Sequence, residues 1–507
     1  MAQRSPAFFD VHDYGARGDG RALDTPALQA AIDACSRAGG GTVYVAAGRY
    51  ITGSLVLHSD IVLHIAAGAA LVGSEDEADY PLIRTRWEGI ECEGHAPLIG
   101  GSGLRNVAVS GRGTIDGRGA GWWQRAREGR LRYPRPRLVS FDRCTNLLIE
   151  GLMLVDSPSW TIHPLRCENV TVDKVTIVNP ADSPNTDGIN PDSCRQVRIA
   201  NCHIDVGDDC IAIKSGVETA GRAALAPCEA VTIANCTMLH GHGGVVIGSE
   251  MSGSVRRVVI ANCVFIGTDR GLRLKSRRGR GGVVEDVRAV NIVMHDVLCP
   301  FTMNLYYHIG MKGNKDIADR WPHPVTEGTP RIRRIHFGHI TARGVRYAAA
   351  YLDGLPEMPL EDISFSDIAI SMAGDGPAGP PEMADGVEPM QRAGLFIRCA
   401  SGLRLHNVEV SGHVGPALSV AASADVDIAG SGTATPAPGA PVVQLQNVRG
   451  ALVRGCRARP GTEVFLQVAG ADSHDIALCG NHLGRAAQAV ALAGGTPSDA
   501  VTSDSVS

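Results

Sequence analysis

Short segments in which apolar and polar residues alternate fill the chain from about residue 50 onward. Alternation with a period of two is typical of β-strands, and each segment ends at Gly, Asn or Asp. The segments share one order: a polar turn, a short strand, a bend at Asn or Gly, and another strand. Copies of this unit begin at Leu104, Thr145, Glu168, Arg195, Glu229 and Arg256.

The spacing of the copies predicts the fold class. The Asn-Cys steps at 201, 235 and 262 lie 34 and 27 residues apart. A repeat of this length made only of short strands is typical of a parallel β-helix, in which each coil buries its apolar face against the next coil. We therefore predict an all-β, single-stranded parallel β-helix.

One helix is predicted before the repeats. Asp24-Thr25-Pro26 offers a cap and a first-turn proline, and Leu28, Ala31, Ile32 and Cys35 follow at helical spacing. We expect an N-terminal cap over 1–50, a β-helix catalytic domain over 51–494 and a polar tail over 495–507. Three stretches predict loops that leave the coils, at 306–331, 374–392 and 431–441.

Composition narrows the function classes. The 48 basic and 53 acidic residues give a net charge of −5, which argues against a general nucleic-acid binder. The chain has no apolar run of about 18 residues and no visible signal peptide. We expect no membrane partner and a cytoplasmic protein if the chain is complete, or a periplasmic or secreted one if a leader was removed. The 14 cysteines include no C-x2-C pair, so they predict core packing rather than zinc binding or a disulfide scaffold.

Four short motifs on successive coils carry the candidate chemistry. They are Asn185-Thr186-Asp187, Gly207-Asp208-Asp209, Gly241-His242-Gly243 and Arg273-Leu274-Lys275. Alone, each has a plainer interpretation: an Asp-Asp pair is often a solvated turn or a cation site, Gly-His-Gly a loop, and Arg-x-Lys an exposed strand face. Stacking of coils at about 4.8 Å would bring the four motifs into one patch, and we expect Gly207 to permit the bend that turns both aspartates to one side.

The four motifs, in this order and spacing, resemble glycoside hydrolase family 28, the polygalacturonases. The similarity extends to Asp13–Gly20 and Gly113–Gly117. It implies a right-handed parallel β-helix that hydrolyses α-1,4-galacturonosyl bonds with inversion and needs no metal or other cofactor.

The resemblance also implies residue roles. Asp208 would be the general acid, Asp187 and Asp209 would hold and deprotonate the attacking water, and His242 would tune the acid. Arg273 and Lys275 would bind the galacturonate carboxylate. The family carries a substrate-contacting tyrosine near Tyr306 or Tyr307, and the sequence leaves the choice open. Further candidate subsite residues are Asn185, Lys214 and His163.

The physics of the residue types agrees with these roles. Glycoside cleavage needs one protonated and one ionised carboxyl, and crowding three carboxylates raises the pKa of at least one. Basic residues cluster at 125–137, with six Arg and one Glu, and at 256–280, with eight Arg or Lys and one acid. Such patches favour an anionic saccharide as partner, although the first group is also consistent with scattered surface arginines.

Long loops and their basic residues Lys312, Lys315 and Arg320 favour exo action on oligogalacturonides. The alternatives are an endo-polygalacturonase, a rhamnogalacturonan or xylogalacturonan hydrolase, a calcium-dependent pectate lyase and a non-catalytic sugar-binding β-helix. The sequence leaves the oligomeric state open.

Overall fold

The computed structural model describes residues 8–217, 225–374 and 376–503. The chain divides into two compact units, Met1–Val246 with Gly253–Val258, and Ile247–Ser252 with Val259–Ser507. The helices are α1 (Thr25–Arg37), α2 (Gly119–Arg127) and α3 (Lys315–Ala318), with 3-10 turns at Val11–Tyr14 and Glu77–Asp79. No helix in these described stretches is long and apolar enough to cross a membrane.

The strands before residue 182 are short. They are β1 (Phe8–Asp10), β2 (Asp19–Leu23), β3 (Gly41–Val45), β4 (Gly48–Thr52), β5 (Leu55–Val56), β6 (Ile61–Ile65), β7 (Ala69–Gly73), β8 (Leu82–Trp87), β9 (Ile90–His95), β10 (Ile99–Ser102), β11 (Arg105–Gly111), β12 (Thr114–Asp116), β13 (Val139–Asp142), β14 (Thr145–Glu150), β15 (Met153–Val155), β16 (Ile162–Leu165), β17 (Glu168–Asp173) and β18 (Thr176–Val178).

Several later strands are longer. They are β19 (Arg195–Ala200), β20 (His203–Val206), β21 (Asp209–Ile213), β22 (Cys228–Ala234), β23 (Thr237–His240), β24 (Gly243–Gly248), β25 (Val255–Ile266), β26 (Arg270–Lys275), β27 (Val283–His295), β28 (Cys299–Asn304), β29 (Arg331–Val345), β30 (Ala348–Asp353), β31 (Leu360–Met372), β32 (Ala393–Arg398), β33 (Ala400–Ser411), β34 (Val414–Ala429), β35 (Gly432–Thr433), β36 (Pro441–Arg454), β37 (Val464–Ala469), β38 (His474–Cys479), β39 (Gln488–Ala493) and β40 (Val501–Ser503).

The predicted repeats form the coils of a right-handed parallel β-helix. In the first unit β11, β14, β17, β19 and β22 pair in parallel, one coil after another. Their register aligns the buried residues Val107, Leu147, Val170, Val197 and Val231. In the second unit β27, β29, β31 and β33 pair in the same way.

The polar turns that open the predicted units contain asparagines in the left-handed conformation. Asn106, Asn146 and Asn169 have φ between 52° and 59°. The amide of Asn146 donates to Oδ1 of Asn106 in the coil before it, at 2.9 Å. Asn tolerates this conformation better than other residues with a Cβ, so its side chains tie one bend to the next.

The predicted helix is confirmed as α1, with Leu28, Ala31, Ile32 and Cys35 buried. Asp24 precedes it but does not cap it through its side chain; its carboxylate accepts from the backbone N–H groups of Arg17 and Gly18. Helix α2 is absent from the sequence prediction because Gly119 and Gly121 are poor helix formers. It is held instead by burial of Trp122 and Trp123.

Strand pairing continues past both predicted domain boundaries. Strands β3 and β4, within the predicted cap, pair in parallel with β6 and β7. At the other end β40 pairs with β38, beyond the predicted limit at 494. The remainder of the predicted tail, 504–507, lies outside the described residues.

The cysteines pack inside the coils as predicted, and 12 of the 14 are buried. Cys144, Cys167 and Cys194 have free thiols on successive coils. The backbone N–H of Cys144 donates to Sγ of Cys167, and that of Cys167 donates to Sγ of Cys194, each at 3.3 Å. These thiols therefore act as small packing groups.

Candidate active site

Three aspartates of the first unit meet at one point. Asp187, Asp208 and Asp209 each offer a carboxylate oxygen that lies within 4.8 Å of the others. Asp187 and Asp209 are buried, whereas the side chain of Asp208 is 20% exposed. The predicted convergence of these three residues is confirmed. One carboxylate of the three is thus more open to solvent than its neighbours.

Glycines shape the backbone around this cluster. A Cβ at Gly207 would lie 2.5 Å from the carbonyl oxygen of Ser183 and 2.6 Å from that of Pro180. At Gly241, where φ is +72°, a Cβ would collide with the carbonyl oxygen of Asp208. A glycine is therefore required at position 207 because the backbone of Pro180 and Ser183 approaches it closely. This requirement is separate from the predicted bend between the strands.

His242 faces Asp208 as predicted. Its Nδ1 lies 3.3 Å from Oδ1 of Asp208, and its backbone N–H donates to the Asp208 carbonyl at 3.2 Å. The same Oδ1 accepts from the backbone N–H of Asp209 at 2.9 Å. The His242 side chain is 49% exposed, so the pair lies at a surface that a ligand can reach.

Asp187 is held by two buried donors. Nδ2 of Asn190 donates to its Oδ2 at 3.1 Å, and Nζ of Lys214 lies 3.6 Å from the same oxygen. Nζ of Lys214 also lies 4.8 Å from the ring centroid of Trp160. Lys214 was predicted as a subsite residue and lies beside the carboxylate cluster. Asn190 was missed, although it follows Asp187 by three residues.

Stacked rings and cations form a wall beside this cluster. Trp87 stacks on Trp160 with ring centroids 4.9 Å apart, and the Arg137 guanidinium lies 5.4 and 5.2 Å from the two centroids. Arg135 donates to Oδ1 of the predicted residue Asn185 at 2.6 Å. Burial lowers the pKa of Arg135 to about 10, so it stays protonated at neutral pH. The basic cluster 125–137 thus includes two buried cations and is not simply a scattered surface.

His163 does not reach this surface. Its side chain is fully buried, with Nδ1 3.2 Å from Oγ of Ser140 and Nε2 3.8 Å from Oδ2 of Asp192. Burial lowers its pKa to about 4, with a further lowering from Arg137 that Asp192 opposes. The prediction that His163 contacts substrate is therefore wrong for this structure, because no part of its side chain is accessible.

The predicted cations Arg273 and Lys275 lie on β26 in the second unit, and both are buried. Nε of Arg273 donates to Oε1 of Glu382 at 2.7 Å, and Nη2 donates to Oε2 at 3.2 Å. Nζ of Lys275 lies 5.2 Å from the ring centroid of Tyr307. That these cations share a site with the aspartates stays a prediction of the sequence.

The structure separates the two candidate tyrosines. Tyr306 is 1% exposed, its hydroxyl donates to the Gly354 carbonyl at 3.1 Å, and the guanidinium of Arg320 lies 3.4 Å from its ring centroid. Burial raises the pKa of Tyr306 to about 12. Tyr307 is 8% exposed and lies beside Lys275, and substrate contact by either tyrosine stays a prediction.

Glu382 was missed by sequence reasoning. It belongs to the Gly/Pro-rich stretch that the sequence predicts as a loop, and its side chain is fully buried against β26 and β28. A single Glu in such a stretch carries no local signal of its partner. The only available hint was that solenoid loops often build the binding face.

Comparison with known proteins now identifies the family. Residues 83–382 match the model of "Glycosyl hydrolases family 28". The chain is 37% identical over 371 residues to a Vitis vinifera protein named "Probable polygalacturonase", covering 71% of this chain and 74% of that one. The chain belongs to family 28 of the glycosyl hydrolases.

Solved family 28 structures agree with the fold. The exopolygalacturonase of Thermotoga maritima is 33% identical, with a TM-score of 0.65 over 73% of this chain and 89% of its own. The family 28 exopolygalacturonase of Yersinia enterocolitica has a TM-score of 0.65 at 22% identity, over 88% of this chain and 78% of its own, and shows the fold alone. Residues 8–77 match "Rhamnogalacturonase A/epimerase, pectate lyase-like".

Proposed function

We propose that this family 28 hydrolase cleaves α-1,4-galacturonosyl linkages in oligogalacturonides, with Asp208 as general acid. The observation that carries the proposal is the cluster of three carboxylates within 4.8 Å, of which only Asp208 is partly exposed and faces an imidazole. A general acid must reach the leaving oxygen and give up a proton to it. Asp187 and Asp209, both buried, would hold and deprotonate the water.

The stereochemical outcome is the part of this proposal that needs a direct measurement. Inverting glycosidases usually separate their two carboxyl groups by roughly 6.5–9.5 Å, and retaining ones by about 5–5.5 Å. The nearest oxygens of the three aspartates are closer than the inverting range. We propose inversion because the family resemblance implies it and two carboxylates are available for one water. The anomer first released, followed by proton NMR, decides between inversion and retention.

Positive side chains support an anionic sugar as substrate. Lys214 and Arg135 lie next to the aspartates in the first unit, and Lys275 lies beside Tyr307 in the second. A galacturonate residue carries one carboxylate that a neutral sugar lacks, so buried cations favour it. The names of the Vitis and Thermotoga relatives point to the same substrate class.

Exo action is favoured by a hairpin in the first unit. Strands β8 and β9 form an antiparallel hairpin beside the parallel sheet β5–β10–β13–β16. Arg86 pins the hairpin through a 2.8 Å ion pair with Asp192, and Trp87 stacks on Trp160. A cavity of about 220 Å³, lined by Ile83 and Ser140 among others, remains between the hairpin and the sheet. The hairpin thus covers coils that precede Asp187. A bound saccharide would then extend from the site in only one direction, as exo action requires.

One basic residue predicted to grip a chain end has another role. Nη1 of Arg320 donates to Oδ2 of Asp353 at 2.8 Å, and its guanidinium lies on the ring of Tyr306. Its positive charge is therefore used inside the second unit. The hairpin replaces this residue as the basis of the exo proposal.

A pectate lyase is disfavoured by Lys214. A calcium ion held by the three aspartates would lie close to an ammonium that is 3.6 Å from Asp187, and the two positive charges repel. Rhamnogalacturonan hydrolysis, suggested by the match over 8–77, is disfavoured by the presence of His242, Arg273 and Lys275 together.

Digestion of a galacturonate pentamer tests the proposal. We expect monomer and the complementary tetramer as the only early products, no absorbance near 235 nm from unsaturated sugars, and no loss of rate with a chelator. Early dimers and trimers would overturn exo action but not hydrolysis. A pentamer left intact by the wild-type protein would overturn the substrate assignment.

A further inference from the structure

The loop 376–392 is fixed against the strands that carry the predicted substrate-binding cations. Nε and Nη2 of Arg270, on β26, donate to the carbonyls of Pro381 and Pro380 at 2.9 and 2.8 Å. Tyr307 pairs with Ala384, and the backbone N–H of His308 donates to the Met383 carbonyl at 3.2 Å. Glu382 is thus held on both sides by residues of β26 and of the segment that follows β28.

Glu382 engages two neighbouring rungs at once. Besides Arg273, its carboxylate accepts from Oγ1 of Thr302 at 3.2 Å and from Nδ2 of Asn304 at 3.3 Å. Thr302 and Asn304 on β28 are the register partners of Arg273 and Lys275. The backbone N–H of Met383 is a further donor, at 3.1 Å. One carboxylate therefore contacts both β26, which carries the Arg-x-Lys motif, and the neighbouring strand β28.

The carboxylate stays charged in this position. Burial alone would raise the pKa of Glu382, but Arg273 first, and then Arg270 and Lys275, lower it to about 2. Glu382 is consequently an anion at any pH at which the enzyme would work. Arg270, Arg273 and Lys275 contribute three positive charges, and Glu382 offsets one of them.

The ring of Tyr307 lies beside both cations of the Arg-x-Lys motif. Its ring centroid lies 5.7 Å from the Arg273 guanidinium carbon and 5.2 Å from Nζ of Lys275. A fork-to-fork pair fixes the plane of a guanidinium as well as its place. A rotation of Arg273 would therefore disturb the ring and the ammonium beside it.

We propose that Glu382 is a positioning residue for recognition of the uronate carboxylate: it acts through Arg273 and fixes the guanidinium against Tyr307. This inference rests on the proposed function. A guanidinium held in one plane suits the planar carboxylate of an ionised sugar and discriminates against its methyl ester.

The chain offers a matched control pair. Arg278 donates to Glu357 through Nε at 2.6 Å and Nη2 at 2.9 Å, so this second buried Arg–Glu fork has the same geometry. The Glu357 side chain is 4% exposed and does not contact the Arg-x-Lys motif in the described residues. Glu357→Gln therefore reports what the loss of a buried fork does to the fold alone.

The experiment measures KM and kcat of Glu382→Gln and Glu357→Gln on tri-galacturonate and on its methyl ester. The assay temperature is kept well below the thermal unfolding midpoints of both variants. We expect Glu382→Gln to raise KM for the acid about tenfold or more, because a misplaced positioning group can cost up to about 100-fold. The ratio of kcat/KM for the acid to kcat/KM for the ester should decrease in the same variant. Glu357→Gln should change the unfolding midpoint while KM stays within about twofold.

A double-mutant cycle separates positioning from a general structural role. If Glu382 acts through Arg273, adding Glu382→Gln to Arg273→Gln should cause little further loss in kcat/KM. Equal KM and equal ester preference in wild type and Glu382→Gln would overturn the inference while leaving the proposed function intact. If Glu382→Gln does not accumulate folded, Glu382→Asp, which keeps the charge but shortens the reach, provides the same readout. Wild-type inactivity on both substrates would instead count against the proposed function.

Discussion

Nδ1 of His242 lies 3.3 Å from Oδ1 of Asp208, and a second histidine–aspartate pair lies close by in the chain. In that second pair, Nδ1 of His240 lies 2.8 Å from Oδ1 of Asp205. Only Asp208 belongs to the carboxylate cluster. Both pairs join a histidine to an aspartate, but only one of them adjoins the other two carboxylates. Substituting the aspartate of each pair therefore shows how much activity depends on the carboxylate cluster.

Asp208→Asn should abolish most of the activity. An amide cannot deliver the proton that the leaving oxygen needs, and general acid catalysis contributes about 10²–10⁴-fold. We expect kcat to fall by about that factor while binding of a galacturonate oligomer, measured by calorimetry, changes little. Asp205→Asn is the control and should keep wild-type kcat. Comparable losses in the two variants would show that the cluster is not the catalytic centre.

Buried His163 should make the fold sensitive to mild acid. Its pKa is lowered from 6.5 to about 4, so below pH 6.5 the unfolded chain takes up a proton that the folded chain refuses. The free energy of unfolding should therefore decrease as pH falls from 6.5 to 4, by up to about 3 kcal/mol, since one pKa unit is worth about 1.4 kcal/mol. Glu382 and Asp192, whose pKa values are lowered, lose their contributions only at lower pH, below the ordinary carboxyl range.

Urea unfolding of His163→Gln at several pH values measures this contribution. The urea midpoint should decrease less from pH 6.5 to pH 4.5 in the variant than in the wild type. A smaller decrease should remain in the variant, because burial also lowers the pKa values of His336 and His413. His295→Gln replaces an exposed histidine and should behave like the wild type. A pH-dependent loss in His163→Gln as large as in the wild type would assign the acid sensitivity to other groups.

The sequence predicted those features whose signals are local. Asp187, Asp208 and Asp209 could be brought together because each motif sits at the same point of successive coils, and the coils repeat in the sequence. Glu382 lies 109 residues from its partner Arg273, and Arg86 lies 106 residues from Asp192. Such pairs depend on how loops return to the coils, which no periodicity encodes.

Burial explains why the prediction for His163 was wrong. A histidine or tyrosine near the motifs looks the same in a sequence whether it faces a ligand or the protein interior. The His163 ring lies 5.0 Å from that of Trp160, and the Arg320 guanidinium lies on the ring of Tyr306. Neither contact is visible in the sequence motifs.

The hairpin of β8 and β9 gives a final prediction: Trp87→Ala should change which oligomers are released from a galacturonate pentamer. Trp87 precedes the turn at Glu88 and Gly89, where φ is 48° and 83°, and its ring stacks on Trp160 beside Lys214. Removing the indole would open the covered side of the first unit while Arg86 and Asp192 still pin the hairpin. We expect dimers and trimers of galacturonate to appear among the early products of a pentamer. Ile90 is the strand partner of Trp87 and is 47% exposed, so Ile90→Ala should still give only monomer and tetramer at early times. Monomer and tetramer as the only early products of Trp87→Ala would mean that the hairpin does not limit how the saccharide chain binds.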